Sequence, residues 1–173
     1  MTFFDQFSAK IFKAEKINTH GGSLRIYVKK DKKVKIEKNV KDILVEENKF
    51  GIKNYKTYEK FAREVYKIRD NVRKNIIKLK GDNGKIVGYG SPAKATTSLN
   101  FFGISDEIEY ILEDNKLKHG KFLPGVKIPI VAKKSVKNKI DCILVLAWNF
   151  FDEIKNSNSD LANKFVNIKD LEI

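Results

Sequence analysis

Cysteine is almost missing from this chain. Cys142 is the only one in 173 residues, which excludes an intramolecular disulfide and any cysteine-based zinc site. Its place in the apolar run 142–147 marks a buried thiol in a reducing compartment. Histidine is nearly as scarce: His20 and His119 lie far apart, so no metal site is expected. Arginine occurs only at positions 25, 63, 69 and 73, and no aromatic-rich RNA-binding motif accompanies it. No apolar run approaches the roughly 20 residues that cross a bilayer, so no membrane partner is expected. Residues 1–7 carry no basic leader or cleavage site; no signal peptide is expected, and the expected location is cytoplasmic.

Lysine, by contrast, is in excess. The formal net charge of +13 would suit nucleic acid or an anionic surface. The lysines are spread over the whole chain, however, and the densest block, residues 29–38, alternates them with acids and apolar residues. With abundant Asn and Ile, this distribution follows the drift of an AT-rich coding sequence, and a nucleic-acid partner is not expected. Hydrophobic content of 42% and charged content of 33% describe a soluble globular protein, long enough for one domain with a proper core.

The most informative stretch is residues 85–100, which reads as a short apolar strand, a glycine-rich turn and a helix start. Gly88, Gly90 and Ala93 fit the G-x-G-x-x-G/A spacing of nucleotide-binding β-α-β units. Glycine permits the tight turn and lets backbone N–H groups approach a phosphate. Ser91 is placed to cap the helix, with Pro92 at its first position. Lys94 would set a positive charge in the first turn, beside a bound diphosphate. No Gly-Lys-Ser/Thr closes the loop, so this is not a Walker A loop and ATP hydrolysis is not expected. The acidic pair Glu113-Asp114 follows a second apolar run at about the 20-residue offset of a ribose-binding carboxylate, and Asp114 is the candidate acceptor.

Three stretches follow one another. Residues 1–30 contain two strand-like runs, 9–17 and 23–28, around the turn 18–22, a hairpin that is marginal alone. Residues 31–80 form a helical connector. One helix, 40–49, stops at Gly51. A longer one, capped by Thr57, runs to Lys80 with Phe61, Val65, Ile68, Val72, Ile76 and Leu79 as its core stripe. Arg63, Lys67, Arg69, Arg73 and Lys74 form its solvated face. Residues 81–173 alternate strands near 85–89, 108–112, 128–132, 141–147 and 164–168 with helices near 92–102, 134–139 and 150–162. The fold class is therefore α/β, a Rossmann-like parallel sheet with flanking helices, preceded by a β-hairpin and a long helix. Ligand sites are expected at the carboxyl ends of the strands.

Read in order, residues 20–25 (His-Gly-Gly-Ser-Leu-Arg), 88–94 (Gly-Tyr-Gly-Ser-Pro-Ala-Lys), Asp114, 120–125 (Gly-Lys-Phe-Leu-Pro-Gly), 128–130 (Ile-Pro-Ile) and 146–150 (Leu-Ala-Trp-Asn-Phe) resemble the C-terminal part of the sugar C-methyltransferases. Such enzymes use S-adenosylmethionine to methylate a carbon of a nucleotide-linked keto-deoxysugar. The resemblance implies a Rossmann-like domain that anchors the nucleotide-sugar, downstream of a cysteine-rich zinc domain and a cofactor-binding domain. The family's Tyr/Glu/His catalytic cluster lies ahead of the His-Gly-Gly-Ser element, so no residue of this chain is a catalytic candidate. S-adenosylmethionine is implied for the complete enzyme but not as a ligand of this chain. The resemblance also casts residues 1–30 as the tail of a methyltransferase domain, in a truncated or split enzyme expected to be inactive alone: either a fragment, or a subunit that completes a separate chain carrying the zinc and cofactor-binding domains. Alternatively, the hairpin packs on residues 40–80 as an accessory layer.

The substrate-contacting candidates are Gly88, Gly90, Ser91, Pro92, Lys94, Asp114, Lys121, Pro124, Gly125, Trp148 and Asn149. Trp148 would stack on a base or sugar face, with Asn149 hydrogen-bonding beside it. His20, Gly21, Gly22, Ser23 and Arg25 are candidates for an interdomain or substrate cleft; Ser23 lacks the context of a hydrolase nucleophile. His119 is expected in a solvated loop. A stand-alone nucleotide-binding module and a basic nucleic-acid-binding protein are the two other functional classes.

Overall fold

A computed structural model of the protein describes residues 2–19, 21–82, 84–135 and 139–173. The chain divides into two compact units, Met1–Ala62 and Arg63–Ile173.

The first unit opens with a single helical turn, α1 (Thr2–Asp5), and an antiparallel hairpin of β1 (Lys10–Ile17) and β2 (Ser23–Lys29). The hairpin does not stand alone. Helix α2 (Lys38–Phe50) lies against β1: Ala14 N–H donates to Asn39 Oδ1 at 3.5 Å, and Lys16 pairs with Glu46. Ala14 and Val40 are buried there. The hairpin thus packs on the shorter of the two helices. Leu24, Ile26 and Val28 of β2 remain exposed. Gly51 ends α2 in the left-handed conformation, with φ 78°, where a side chain would be strained.

Helix α3 (Tyr55–Lys80) carries the chain from the first unit into the second. Its N-terminus is capped by Asn54, not by the expected Thr57: Asn54 Oδ1 accepts from Lys56 N–H at 3.0 Å. Thr57 instead lies inside the first turn. Asn commits its short amide to the backbone as readily as a hydroxyl does, and it stands one turn earlier.

In the second unit, β3 (Ile86–Tyr89), β4 (Ile108–Leu112), β5 (Ile130–Val131), β6 (Cys142–Val145) and β7 (Phe165–Asn167) form an all-parallel sheet in the order β5-β4-β3-β6-β7. All four residues of β3 and of β6 are buried, as a parallel strand covered on both faces requires. Alternation distributes their side chains between two layers. Ile86, Cys142, Leu144 and Leu146 join Val72 and Ile76 of α3 and Leu99 of α4 (Ala93–Phe102). Val87, Tyr89, Ile143 and Val145 face Phe151 and Ile154 of α5 (Phe151–Ser157). The C-terminal turn Ile168–Leu171 seals the first layer, and Asn75 Nδ2 donates to the carbonyls of Leu171 and Ile173 at 3.1 and 2.9 Å.

Several expected boundaries shift. The strand expected over 128–132 is confined to Ile130–Val131. The helix expected over 150–162 breaks at Asn158 into α5 and a 3-10 segment, Ser159–Lys164. Asn158 is buried because its side chain is needed at the end of β3. Of the helix expected over 134–139, Lys133–Ser135 form a 3-10 turn, and residues 136–138 lie outside the described residues. On α3, Val72 and Ile76 are core as expected, whereas Phe61 is 67% exposed. Arg73, assigned to the solvated face, reaches the C-terminus of α4, where its Nε–H donates to the Phe102 carbonyl. A cation there complements the helix dipole.

Candidate functional site

The strand order reverses beside β3, between β4 on one side and β6 on the other, which is where an open parallel sheet leaves a crevice at its carboxyl edge. A cavity of about 330 Å³ lies there. Tyr89, Gly90 and Ser91 form its floor from the end of β3, Glu113 and Asp114 enter from the end of β4, and Ala147 follows β6. The wall is α5, through Glu153, Ile154 and Ser157, with Phe150 at the mouth and 59% exposed. Its volume lies at the lower end of small-ligand sites.

The glycine turn is built as its sequence implies, but its donors are engaged internally. Gly90 adopts φ 84°, a conformation that glycine alone takes without strain. Its N–H donates to the Leu112 carbonyl at 2.8 Å. Ser91 N–H donates to Glu113 Oε2 at 2.9 Å, and the Ser91 hydroxyl donates to the same oxygen. Ser91 therefore does not cap α4; the cap position is Pro92, without a side-chain bond. The hydroxyl is drawn instead to the neighbouring carboxylate, the stronger acceptor. Gly88 serves packing, because a Cβ there would sit 2.9 Å from Leu146 Cδ1 and 3.1 Å from Ile111 Cγ1.

Glu113 is the electrostatic centre of this edge. Besides Ser91, its carboxylate accepts from Asn115 N–H at 3.0 Å and from Lys118 Nζ at 3.3 Å. Burial opposes its ionisation, but the Ser91 hydroxyl, the Asn115 and Ser91 N–H groups and the Lys118 ammonium outweigh that and hold its pKa at about 2. Asp114 points the other way. Both of its oxygens accept from the Tyr89 hydroxyl, at 3.0 and 2.8 Å. Burial, and then the bond to Asp114, push the Tyr89 phenol up to about 12, so it remains a donor at any ordinary pH. Asn158 completes the chain: its Nδ2 donates to the Ile154 carbonyl at 2.7 Å and to Tyr89 Oη at 3.4 Å, while its Oδ1 accepts from Lys133 Nζ at 2.8 Å. Tyr89, Glu153 and Asn158 were not singled out from the sequence. A tyrosine between the two glycines was a legible clue to Tyr89; α5 gave none for the other two.

The predicted residues separate into groups. Gly90, Ser91, Pro92 and Asp114 line the crevice. Lys94 does not: its Nζ lies 5.0 Å from the centre of the Trp148 ring, which is half-buried against the core and also carries Lys169 at 5.6 Å. Asn149 is exposed beside it. Lys121 lines a separate groove with His119 and Lys134. Pro124 and Gly125 pack on α4, where Asn100 Nδ2 donates to the Pro124 carbonyl at 3.0 Å. Gly21, Gly22, Ser23 and Arg25 belong to the hairpin of the first unit; Ser23 Oγ donates to the Thr19 carbonyl at 3.1 Å, and Arg25 stands opposite Glu15 in register. His20 lies outside the described residues. His119 is not merely solvated: it is half-buried, and its Nε2–H donates to the Glu113 carbonyl at 2.7 Å. Among the described residues no group of His, Cys, Asp and Glu could hold a metal ion, and no helix is long and apolar enough to cross a membrane.

A parallel sheet in this order, with a glycine turn on its central strand and a ligand-sized crevice where the order reverses, defines a Rossmann-like binding domain. The model of one family, the C-methyltransferase C-terminal domain, matches residues 18–168. The chain belongs to that family. It is also 29% identical over 164 residues to the C-methyltransferase NovU of Streptomyces niveus, a match covering 92% of this chain and 39% of that protein. The chain thus spans about two-fifths of the length of this relative.

Proposed function

We propose that this chain is the nucleotide-sugar-anchoring portion of a sugar C-methyltransferase dependent on S-adenosylmethionine. The observation that carries this reading is the crevice at the strand-order reversal. It presents the Asp114 and Glu153 carboxylates and Asn158 beside the exposed ring of Phe150. Carboxylate acceptors next to an aromatic face suit the hydroxyls and the apolar face of a sugar or ribose ring. Membership of the C-methyltransferase C-terminal domain family directs that chemistry toward a transferase substrate.

The methyl donor is assigned elsewhere. Of the acidic pair after β4, Glu113 is already engaged by Ser91, Asn115 and Lys118, which leaves Asp114 as the acid offered to the sugar or ribose. S-adenosylmethionine would be held by the upstream portion, on the same polypeptide or on a separate chain, and its methyl group supplied from there. This chain contributes binding and orientation, using parts of the substrate remote from the reacting carbon to fix it.

A thermal-shift titration tests this. Ligands that bind only the folded state raise the midpoint with concentration. One of dTDP-, UDP-, GDP- or CDP-glucose should raise the midpoint while S-adenosylmethionine leaves it unchanged. A shift with S-adenosylmethionine alone would overturn the assignment.

A further inference from the structure

On the basis of that reading, we propose that the diphosphate of the nucleotide-sugar lies not on the glycine turn but along a lysine-lined groove that opens from the crevice past the end of β5. The crevice itself then receives an uncharged, hydroxyl-bearing ring.

Two sets of observations meet here. The first concerns the turn. A phosphate cradle needs free N–H donors, yet Gly90 N–H is held by the Leu112 carbonyl, Ser91 N–H by Glu113, and Pro92 has none. Glu113 is an anion built into the place a phosphate would take, and Asp114 and Glu153 add further negative charge around the same cavity. Lys94, the cation nearest in sequence, is stacked over Trp148. A diphosphate set on this turn would face the Glu113 carboxylate, and the cation at hand, Lys118, is already tied to Glu113 and to the Ser91 carbonyl.

The second concerns the groove. A cavity of about 510 Å³ shares Glu113 and Asp114 with the crevice and continues between Lys116, His119, Lys133 and Lys134. A further, separate one of about 400 Å³ shares His119 and Lys134 with it and is lined also by Lys121. Lys133 is tied to Asn158 and Asp160, at 2.8 and 3.2 Å. Lys116, Lys121 and Lys134 have no acidic partner among the described residues. At the shared end Glu113 is paired with Lys118, and Asp114 accepts from the neutral Tyr89 hydroxyl. Charge therefore changes sign between neighbouring cavities that share lining residues, from acceptors for hydroxyls to cations for phosphates.

The test is calorimetric titration of dTDP-, UDP-, GDP- and CDP-glucose into the full chain, at low and moderate salt. Lys116 and Lys134 are exposed, so their replacement leaves the fold intact, which a urea melt of each variant checks. The combined variant Lys116→Ala/Lys134→Ala should bind the preferred nucleotide-sugar about tenfold or more weakly and lose much of the salt dependence. Lys94→Ala should bind within about twofold of the parent protein. Weakening by Lys94→Ala, with none from the lysine pair, would return the diphosphate to the glycine turn and overturn the proposal while leaving the anchoring function standing. Failure of every nucleotide-sugar to bind the parent protein would remove the anchoring function, and this proposal with it.

Discussion

Glu113 is the residue on which the site edge depends. Its pKa of about 2 lies well below the ordinary carboxyl value of 4.5, so its ionised form is stabilised by folding. That contribution is fully present above about pH 4.5 and is lost as the pH falls toward 2. Glu113→Gln should lower the unfolding free energy near neutrality by on the order of 2–3 kcal/mol. The gap between the two proteins should narrow by about half as urea melts are taken from pH 6 down to pH 3. A constant gap across that range would mean that the substitution removes packing and not charge. The acidic pair itself was legible from its distance after the glycine turn, and Asp114 was the candidate drawn from it. Both residues follow the last residue of β4, Leu112, and only the path of the chain beyond the strand decides that Glu113 meets Ser91 while Asp114 meets Tyr89. Spacing along a chain does not contain that choice.

Among the elements, the central strands were the easiest to read. Ile86–Tyr89 and Cys142–Val145 are short apolar runs, and burial on both faces leaves them no polar alternation to confuse the pattern. Helix α3 was legible as an amphipathic stripe, but the stripe runs further than the core it serves. Ile76 and Ile77 make the contrast measurable: the first is 1% exposed and the second 61%. Ile76→Ala should cost about 2–5 kcal/mol in a denaturant melt, and Ile77→Ala should stay within about 0.5 kcal/mol. Equal losses would place α3 in a different rotation on the sheet. The segment after α5 was not legible. Its sequence continues in a helix-compatible way, and what stops it is tertiary: Asn158 turns inward to bond Tyr89 and Ile154 and to receive Lys133. The tie between Asn75 and the last carbonyls of the chain is likewise a long-range contact that no local pattern announces.

For the whole molecule, the charge excess and the sheet order bear on function in different ways. A net charge of +13 identifies no site while the lysines are viewed along the sequence. Folding collects Lys116, Lys121 and Lys134 along grooves beside the crevice, and there the charge acquires a direction. The parallel order β5-β4-β3-β6-β7 places the crevice at its reversal, in a chain that belongs to the C-methyltransferase C-terminal domain family. The central claim is that this crevice, and not the hairpin of the first unit, holds the nucleotide-linked sugar. An amide ¹H–¹⁵N titration of the labelled chain with the best-binding nucleotide-sugar tests it most directly. The predicted result is saturable shifts at Gly90, Ser91, Asp114 and Asn158, extending to Lys116 and Lys134, with the amides of β1 and β2 unmoved. Shifts confined to the hairpin, with Gly90 and Asn158 silent, would contradict it.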